Sequence, residues 1–319
     1  MSTTTAPEVR IALASWPADY GSPVGDDAVT ETATLVETAI EVPDAAWAPR
    51  TVHAPPAQVV WFVDGVRRME RYVWLTVRDG TTSRGLVASW AAGAIRCDGA
   101  AVIEHCEVQR GLFSADRHRP GLLAGHDGMI VFAPRRAQAD TEAGLRNALQ
   151  AAMRSTEFDI ARDVGGADDL VFLDGPVRGR GHARTVGYIK TQQVSYLPEA
   201  LRVTVEQLAV GQRTPLFVTK LENWHHWSWY LRLSDHGGHP WESVVRCEVL
   251  KEGVDLPAAI ALADEVTATL PRYASQPHRD VRAPQNLYPI GGLERCLRHR
   301  LGSADVIARH LRRAVAAVR

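Results

Sequence analysis

The chain has 319 residues, 45% hydrophobic and 23% charged, as in ordinary globular proteins. Its 36 Lys and Arg residues nearly balance 37 Asp and Glu residues, so any site for a polyanion has to be a local basic patch. Four cysteines without C-x-x-C spacing predict neither a structural zinc site nor a disulfide framework. No segment reaches the length of a membrane span and no signal-peptide pattern is visible, so we expect a cytoplasmic protein without membrane attachment.

Residues 1–57 are rich in Ala, Pro, Thr and acidic side chains. This composition predicts an N-terminal arm or cap that precedes one domain over residues 58–319. Within the arm, apolar residues at helical spacing predict a short amphipathic helix around Val29 to Val42.

Three strand-like runs follow, and an Asp79-Gly80 hairpin signal separates the last two. They are Gln58 to Asp64, Met69 to Arg78 and Arg84 to Ile95, and they predict an antiparallel meander. A glycine-containing charged stretch from Glu104 to Arg136 then holds a further predicted strand at Met129 to Phe132.

A helix is predicted over residues 140–161, because Leu145, Leu149 and Met153 recur at helical spacing after an N-cap signal. It leads to a buried strand that ends at Asp174. Later predicted strands are Thr185 to Lys190, Leu216 to Lys220, Trp227 to Leu233 and Ser243 to Val249; predicted helices are Pro198 to Leu208, Leu256 to Leu270 and Ala304 to Val318. The fold class is therefore α/β, with a mixed sheet flanked by helices.

Two buried-strand patterns end in the same Asp-Gly step, at Asp64-Gly65 and at Asp174-Gly175. If these strands are neighbours, both carboxylates stand at one sheet edge and can share a divalent cation. Such a site predicts phosphodiester hydrolysis, for which two divalent ions lower the pKa of a water and neutralise the phosphorane. The alternative is that each Asp only turns the chain.

The helix between the two aspartates offers Glu142, Glu157 and Asp159 as a third acid, and of these we favour Glu157, which lies near the C-terminal end of the helix. Hard cations such as Mn²⁺ and Mg²⁺ need several oxygen ligands. Lys190, at the end of a later strand, is a candidate phosphate contact. The order Asp on the first strand, Glu on the helix and Asp on the fourth strand is that of ribonuclease-H-like nucleases.

Four segments together resemble the successive motifs of the NurA nuclease family. They are Phe62-Val63-Asp64-Gly65, Leu173-Asp174-Gly175-Pro176, Val186-Gly187-Tyr188-Ile189-Lys190, and Leu287-Tyr288-Pro289 through Leu293-Glu294. The resemblance implies a ribonuclease-H-like fold and Mn²⁺- or Mg²⁺-dependent cleavage of DNA, with two ions, in DNA end processing and repair. It also implies a homodimer and partnership with a hexameric HerA-type ATPase translocase.

By this resemblance, Asp64, Glu157 and Asp174 are the metal-binding acids and Tyr288 is the tyrosine of the last motif. The chain departs from the family in two places: Val66 stands where a serine is usual, and Cys296 stands where a histidine is common. Glu294 or His299 is then the candidate to replace that histidine as a metal ligand, or the ligand is missing.

Two further patterns carry both a functional and a structural interpretation. The aromatic run Trp224 to Tyr230 is more often core than a base-stacking surface, and the adjacent His225 and His226 point to opposite faces of a strand. Arginines beyond the two Asp-Gly steps are either phosphate contacts or ordinary solvated charge; they are Arg67, Arg68, Arg71, Arg178, Arg180 and Arg184.

The main alternative to an active nuclease is a catalytically degenerate family member that binds DNA or caps a translocase as a scaffold, and the substituted histidine favours it. A third interpretation is a hydrolase of sugars that uses Asp64 and Asp174 as a carboxylate pair without metal.

Overall fold

The computed structural model describes residues 10–13, 35–77, 79–115, 123–124, 130–179, 184–190, 196–221, 224–235, 240–276, 278–279 and 282–317. Fourteen strands lie in this part of the chain: β1 Arg10–Leu13, β2 Leu35–Glu37, β3 Arg50–Thr51, β4 Val60–Thr76, β5 Thr82–Asp98, β6 Ala100–Ser114, β7 Leu123–Ala124, β8 Val131–Arg136, β9 Leu170–Asp174, β10 Thr185–Ile189, β11 Gln212–Arg213, β12 Phe217–Leu221, β13 Trp224–Arg232 and β14 Val244–Leu250. The helices are α1 Glu142–Asp163, α2 Glu199–Glu206, α3 Leu256–Thr269, α4 Tyr288–Arg300 and α5 Ala304–Ala317, with 3₁₀ turns at Asp44–Ala46 and Leu270–Tyr273. None of these helices is both long and apolar enough to cross a membrane.

Eleven of the strands form one mixed sheet in the order β2-β12-β13-β14-β10-β9-β4-β5-β6-β8-β7, β1 pairs in addition with β4, and β11 pairs with β13 and β3. β9 is parallel to both β4 and β10, whereas β5 is antiparallel to both β4 and β6. The predicted mixed α/β sheet flanked by helices is confirmed.

The antiparallel meander is present, but its strands differ from the predicted ones. The two predicted runs Gln58 to Asp64 and Met69 to Arg78 are one strand, β4, with a bulge between Met69 and Arg71. The third strand is β6, most of which lies in the glycine-containing charged stretch from Glu104 to Arg136, where only a later strand was predicted. The prediction failed because charges interrupt the apolar pattern of β4, although Arg68 is held by Glu70 and by the carbonyls of Leu301 and Gly302.

α1 packs on one face of the central strands, and α3 and α4 pack on the other. Val63, Ala92 and Leu173 contact Ile160 of α1. Phe62 and Phe172 belong to the cluster that includes Leu293 of α4. Alternate residues of β4 and β9 therefore face different helices, as the two-residue period of a strand requires.

The described part of the N-terminal region is built into the domain. The helix predicted around Val29 to Val42 is wrong where the chain is described, because Leu35–Glu37 forms strand β2 and pairs with β12; residues 29–34 lie outside the described part. The Glu41 side chain is only 5% exposed and accepts hydrogen bonds from Arg213 at 2.8 and 3.1 Å. Residues 35–57 thus contribute to the main sheet and its packing.

The other predicted helices and strands agree with the structure within a few residues, and two differences stand out. α4 was not predicted, because Gly291-Gly292 and a proline weaken the helical pattern, although proline is favourable in a first turn. The strand predicted from Met129 begins at Val131, and Met129 itself lies outside the described residues.

The aromatic run on β13 lies in the core. Trp229 has none of its surface exposed and Trp227 is also buried, which supports the structural interpretation of this strand. The hypothesis that Trp229 stacks on single-stranded DNA is therefore wrong, because its ring is inaccessible.

Candidate active site

The site is a notch in the sheet beside β4. β9 pairs with β4 only over residues 60–63, and β1 pairs with it only over residues 73–76. Among the residues that the structure describes, 64–72 of β4 have no strand partner on that side. Asp64 was predicted at the end of its own strand; it lies instead where the neighbouring strand β9 ends.

Asp64 and Asp174 lie side by side on one face of the sheet. Phe62 of β4 is in register with Phe172 of β9, and their rings stack 5.3 Å apart. Each aspartate comes two residues after its phenylalanine, so both point to the same face of adjacent parallel strands, which lie about 4.8 Å apart. The predicted neighbourhood of these two strands is confirmed.

Lys190 is held between this pair and the segment before α4. Its Nζ donates to Oδ2 of Asp174 at 2.5 Å and to Oδ1 of Asn286 at 3.0 Å. β10 delivers it, because Tyr188 of β10 is in register with Asp174. The Tyr188 hydroxyl in turn donates to the carbonyl of Gln285 at 2.6 Å, which ties β10 to the same segment.

Glu157 reaches the notch from α1, on the opposite face of the sheet, by passing over Gly65. A Cβ added at Gly65 would collide with Oε1 of Glu157. The missing side chain therefore makes room for the carboxylate. Burial and the charge of Asp174 raise the pKa of Glu157 to about 8, against the opposing effect of Arg154 and Arg67.

The environment of Asp64 disfavours its charged form. Oδ1 accepts from the amide of Gly65 at 2.7 Å, whereas Oδ2 is buried and has no hydrogen-bond partner within the described part of the chain. Burial raises the pKa of Asp64 well above its usual value, and the charges of Asp174, Glu157 and Glu294 raise it further, while Lys190 lowers it. These groups therefore lie close enough to Asp64 to affect its ionisation.

Glu294 of α4 is already paired with cations. Arg282 donates to its two carboxylate oxygens at 3.0 and 2.7 Å, and Arg298 approaches at 3.5 Å. Burial by itself raises the pKa of Glu294, but these guanidinium groups and Lys190 outweigh it, so the pKa lies below its usual value.

The structure does not bring His299 or Tyr288 to the acids. His299 is exposed on α4, five residues after Glu294 and therefore about 140° around the helix from it. Tyr288 lies at the first turn of α4, with Arg279 over its ring at 5.7 Å, and lines a separate cavity of about 440 Å³ with Tyr273 and Cys97.

Sequence reasoning missed Asn286 and Arg282, which hold Lys190 and Glu294. Both lie in the segment 282–287 before α4. Because α4 was not predicted, nothing in the sequence indicated that this segment lies beside the acids. Among the arginines taken as phosphate contacts, Arg184 is paired with Glu265 at 2.6 Å and Arg68 caps the end of α4, so solvated or structural charge explains those two. Arg180 lies outside the described residues.

The donor set fits a hard cation, although the acids as they stand do not enclose one. Within the described ranges, no three Asp, Glu, His or Cys side chains meet in the close arrangement of a formed metal site. Within the part of the chain that the structure describes, Asp64 nevertheless has a buried carboxylate oxygen without a hydrogen-bond partner, and the charges of Asp174, Glu157 and Glu294 repel its own. A divalent cation would satisfy that oxygen and reduce the repulsion.

A comparison with curated proteins found no match. The family model described as the NurA domain matches residues 59–290, which include Asp64, Glu157, Asp174, Lys190 and Tyr288. This range is most of the chain and contains β4, β9 and α1, which carry Asp64, Asp174 and Glu157. The chain therefore belongs to the NurA family, a family of nucleases.

Proposed function

We propose that this chain is a metal-dependent deoxyribonuclease in which Asp64, Glu157 and Asp174 hold two Mn²⁺ or Mg²⁺ ions. One observation carries the proposal: two parallel strands and a helix from opposite faces deliver these three acids to one notch, where a buried oxygen of Asp64 lacks a partner among the described residues. Three crowded acids destabilise a fold when they are ionised, unless a cation compensates their charges.

The protein's residues have distinct parts in this mechanism. Bound ions would supply a water of lowered pKa and positive charge at the scissile phosphate. Oδ2 of Asp64 is the oxygen available for ligation, since Oδ1 already accepts from Gly65. Glu157, whose pKa is about 8, has to release its proton to ligate.

Lys190 orients the substrate rather than the metal. Two of its three N–H groups are used by Asp174 and Asn286. The third can donate to a non-bridging phosphate oxygen and stabilise the negative charge that develops there.

The experiment compares the cleavage of end-labelled single-stranded and duplex DNA by the wild type, Asp64→Asn and Asp174→Asn, with Mn²⁺ and with EDTA. We expect cleavage by the wild type that EDTA abolishes, and no cleavage by either variant. Retained Mn²⁺-dependent cleavage by both variants would refute the proposal. Full activity in EDTA would instead favour the metal-free carboxylate-pair mechanism.

The second candidate is a degenerate family member that acts as a DNA-binding or translocase-capping scaffold. The pairing of Glu294 with Arg282, together with Cys296 in place of the family's histidine, favours it. Under this alternative the wild type binds DNA without cleaving it, and Asp64→Asn leaves the DNA affinity unchanged.

We propose DNA ends as the substrate, a homodimer as the assembly, a HerA-type hexameric ATPase as the partner and the cytoplasm as the location. These proposals rest on membership of the family. Sedimentation of the purified chain, alone and mixed with a HerA-type hexamer, tests the assembly: a monomer that does not co-sediment with the hexamer would refute both interactions.

A further inference from the structure

We infer that His226 and Glu248 are positioning residues. They fix Asp174 by forming hydrogen bonds to the backbone of Val177, three residues beyond it. The inference rests on the proposed metal-binding role of Asp174. His226 lies on β13 and Glu248 on β14, outside the strands that carry the acids.

Both polar groups of the Val177 backbone are bound by these two side chains. The Val177 amide donates to Oε1 of Glu248 at 3.1 Å, and the Val177 carbonyl lies 2.8 Å from Nε2 of His226. Because a carbonyl oxygen can only accept, Nε2 carries the proton of this hydrogen bond. His226, Glu248 and Val177 are all buried, so both contacts are shielded from water.

The hydrogen bonds to Val177 matter because the pairing of β9 with β4 stops just before Asp174. β9 pairs with β4 only as far as Leu173, opposite Val63. Beyond Asp174 the chain turns at Gly175, with φ of +118°, and the Gly175 amide donates to the Tyr188 carbonyl at 2.9 Å. The two bonds to Val177 are the next anchors along the chain, so they set the direction in which it leaves Asp174.

Glu248 is itself held in place by a buried arginine. Arg246 donates to the other oxygen of Glu248, Oε2, at 2.6 Å. A Cβ at Gly187 would lie 2.8 Å from the Gly175 carbonyl and 3.0 Å from Cγ of Glu248, so the turn packs tightly over the glycine. Polar groups of this kind, which orient a ligand residue without touching the metal, change metal affinity by about 10-fold to 100-fold when removed.

His226→Leu tests the inference, with Thr267→Val as the control. Thr267 is also buried, and its hydroxyl donates to the carbonyl of Ala263 within α3 at 2.6 Å, so the control removes a buried side-chain hydrogen bond that does not involve Val177, His226 or Glu248. We expect His226→Leu to weaken Mn²⁺ binding, measured by calorimetry, by about tenfold or more, and Thr267→Val to change it less than about twofold. His226→Gln, which keeps a donor, should recover most of the affinity.

Amide hydrogen exchange of the 174–177 segment in EDTA provides a readout that needs no metal. We expect faster exchange in His226→Leu than in the wild type and in Thr267→Val. If His226→Leu does not fold, His226→Asn replaces it, because its amide is too short to reach the Val177 carbonyl.

Unchanged Mn²⁺ affinity and unchanged exchange in the folded His226 variant would overturn the inference while leaving the proposed function intact. Equal losses in the Thr267→Val control would overturn it as well, because they would indicate a general packing effect. If the wild type binds no Mn²⁺, the proposed function fails. The exchange experiment alone then decides whether His226 holds the backbone of Val177 in place.

Discussion

Replacing Glu157 with Gln should stabilise the metal-free protein, and the gain should grow with pH. Burial and Asp174 raise the pKa of this carboxyl from 4.5 to about 8 in the folded state. A raised folded-state pKa contributes stability below the unfolded-state value, and that stability is lost as the pH rises through the folded-state value. The linkage relation gives a loss of about 1 kcal/mol near pH 5 and about 3 kcal/mol near pH 7.

Glutamine has nearly the same shape and does not ionise, so the variant should avoid that loss. Guanidinium unfolding in EDTA, near pH 5 and near pH 7, measures the difference in unfolding free energy between variant and wild type. Glu142→Gln is the control, because Glu142 lies on the same helix with half of its side chain exposed. Its free energy of unfolding should change by less than about 0.5 kcal/mol at either pH. A Glu157→Gln variant that is destabilised, or that gains equally at both pH values, would refute the electrostatic reasoning.

Three further predictions concern neighbouring residues. Gly65→Ala places a methyl group against Oε1 of Glu157, so it should lower the unfolding free energy by about 1–3 kcal/mol and abolish cleavage, whereas Gly292→Ala, which meets open space on α4, should do neither. Lys190→Met should lower kcat by about a hundredfold without weakening Mn²⁺ binding in calorimetry, because it frees an Asp174 oxygen; equal kcat would remove Lys190 from the mechanism. Glu41→Gln should cost about 3 kcal/mol near pH 7 in urea unfolding, since it breaks a buried ion pair with Arg213. Burial by itself raises the pKa of Glu41, but Arg213 and the Leu216 amide outweigh burial, so the pKa lies below its usual value. The stability that the ion pair contributes is therefore lost as the pH falls through the folded-state pKa of Glu41. A difference in unfolding free energy between wild type and Glu41→Gln that stays constant on acidification would contradict the ion pair's role.

The positions of Asp64 and Asp174 could be predicted because local pattern and strand pairing agree. Both follow continuous apolar runs, and parallel pairing of those runs places the two carboxylates together. The prediction succeeded although the supposed end of β4 was wrong, since what opens the site is the end of β9.

The helical acid could be ranked by position but not by environment. Nothing in the sequence near Glu157 indicates that Gly65, more than ninety positions earlier, leaves room for its carboxylate. That contact depends on the register of α1 against β4, which is a tertiary property.

The C-terminal part of the site was the least predictable. The segment 282–287 has no periodic pattern, yet Arg282 and Asn286 hold Glu294 and Lys190. The glycines at 291 and 292 weakened the helical pattern of α4, and without that helix the exposure of His299 could not be foreseen.

Calorimetric titration of Mn²⁺ into the wild type and into Asp64→Asn tests directly whether the site binds a divalent metal through Asp64. Because Glu157 has to release a proton to ligate, the heat of binding near pH 7 should depend on the ionisation enthalpy of the buffer. We expect saturable Mn²⁺ binding with proton release by the wild type, and the loss of both in Asp64→Asn. Equal Mn²⁺ binding by the two proteins, or none by the wild type, would contradict it.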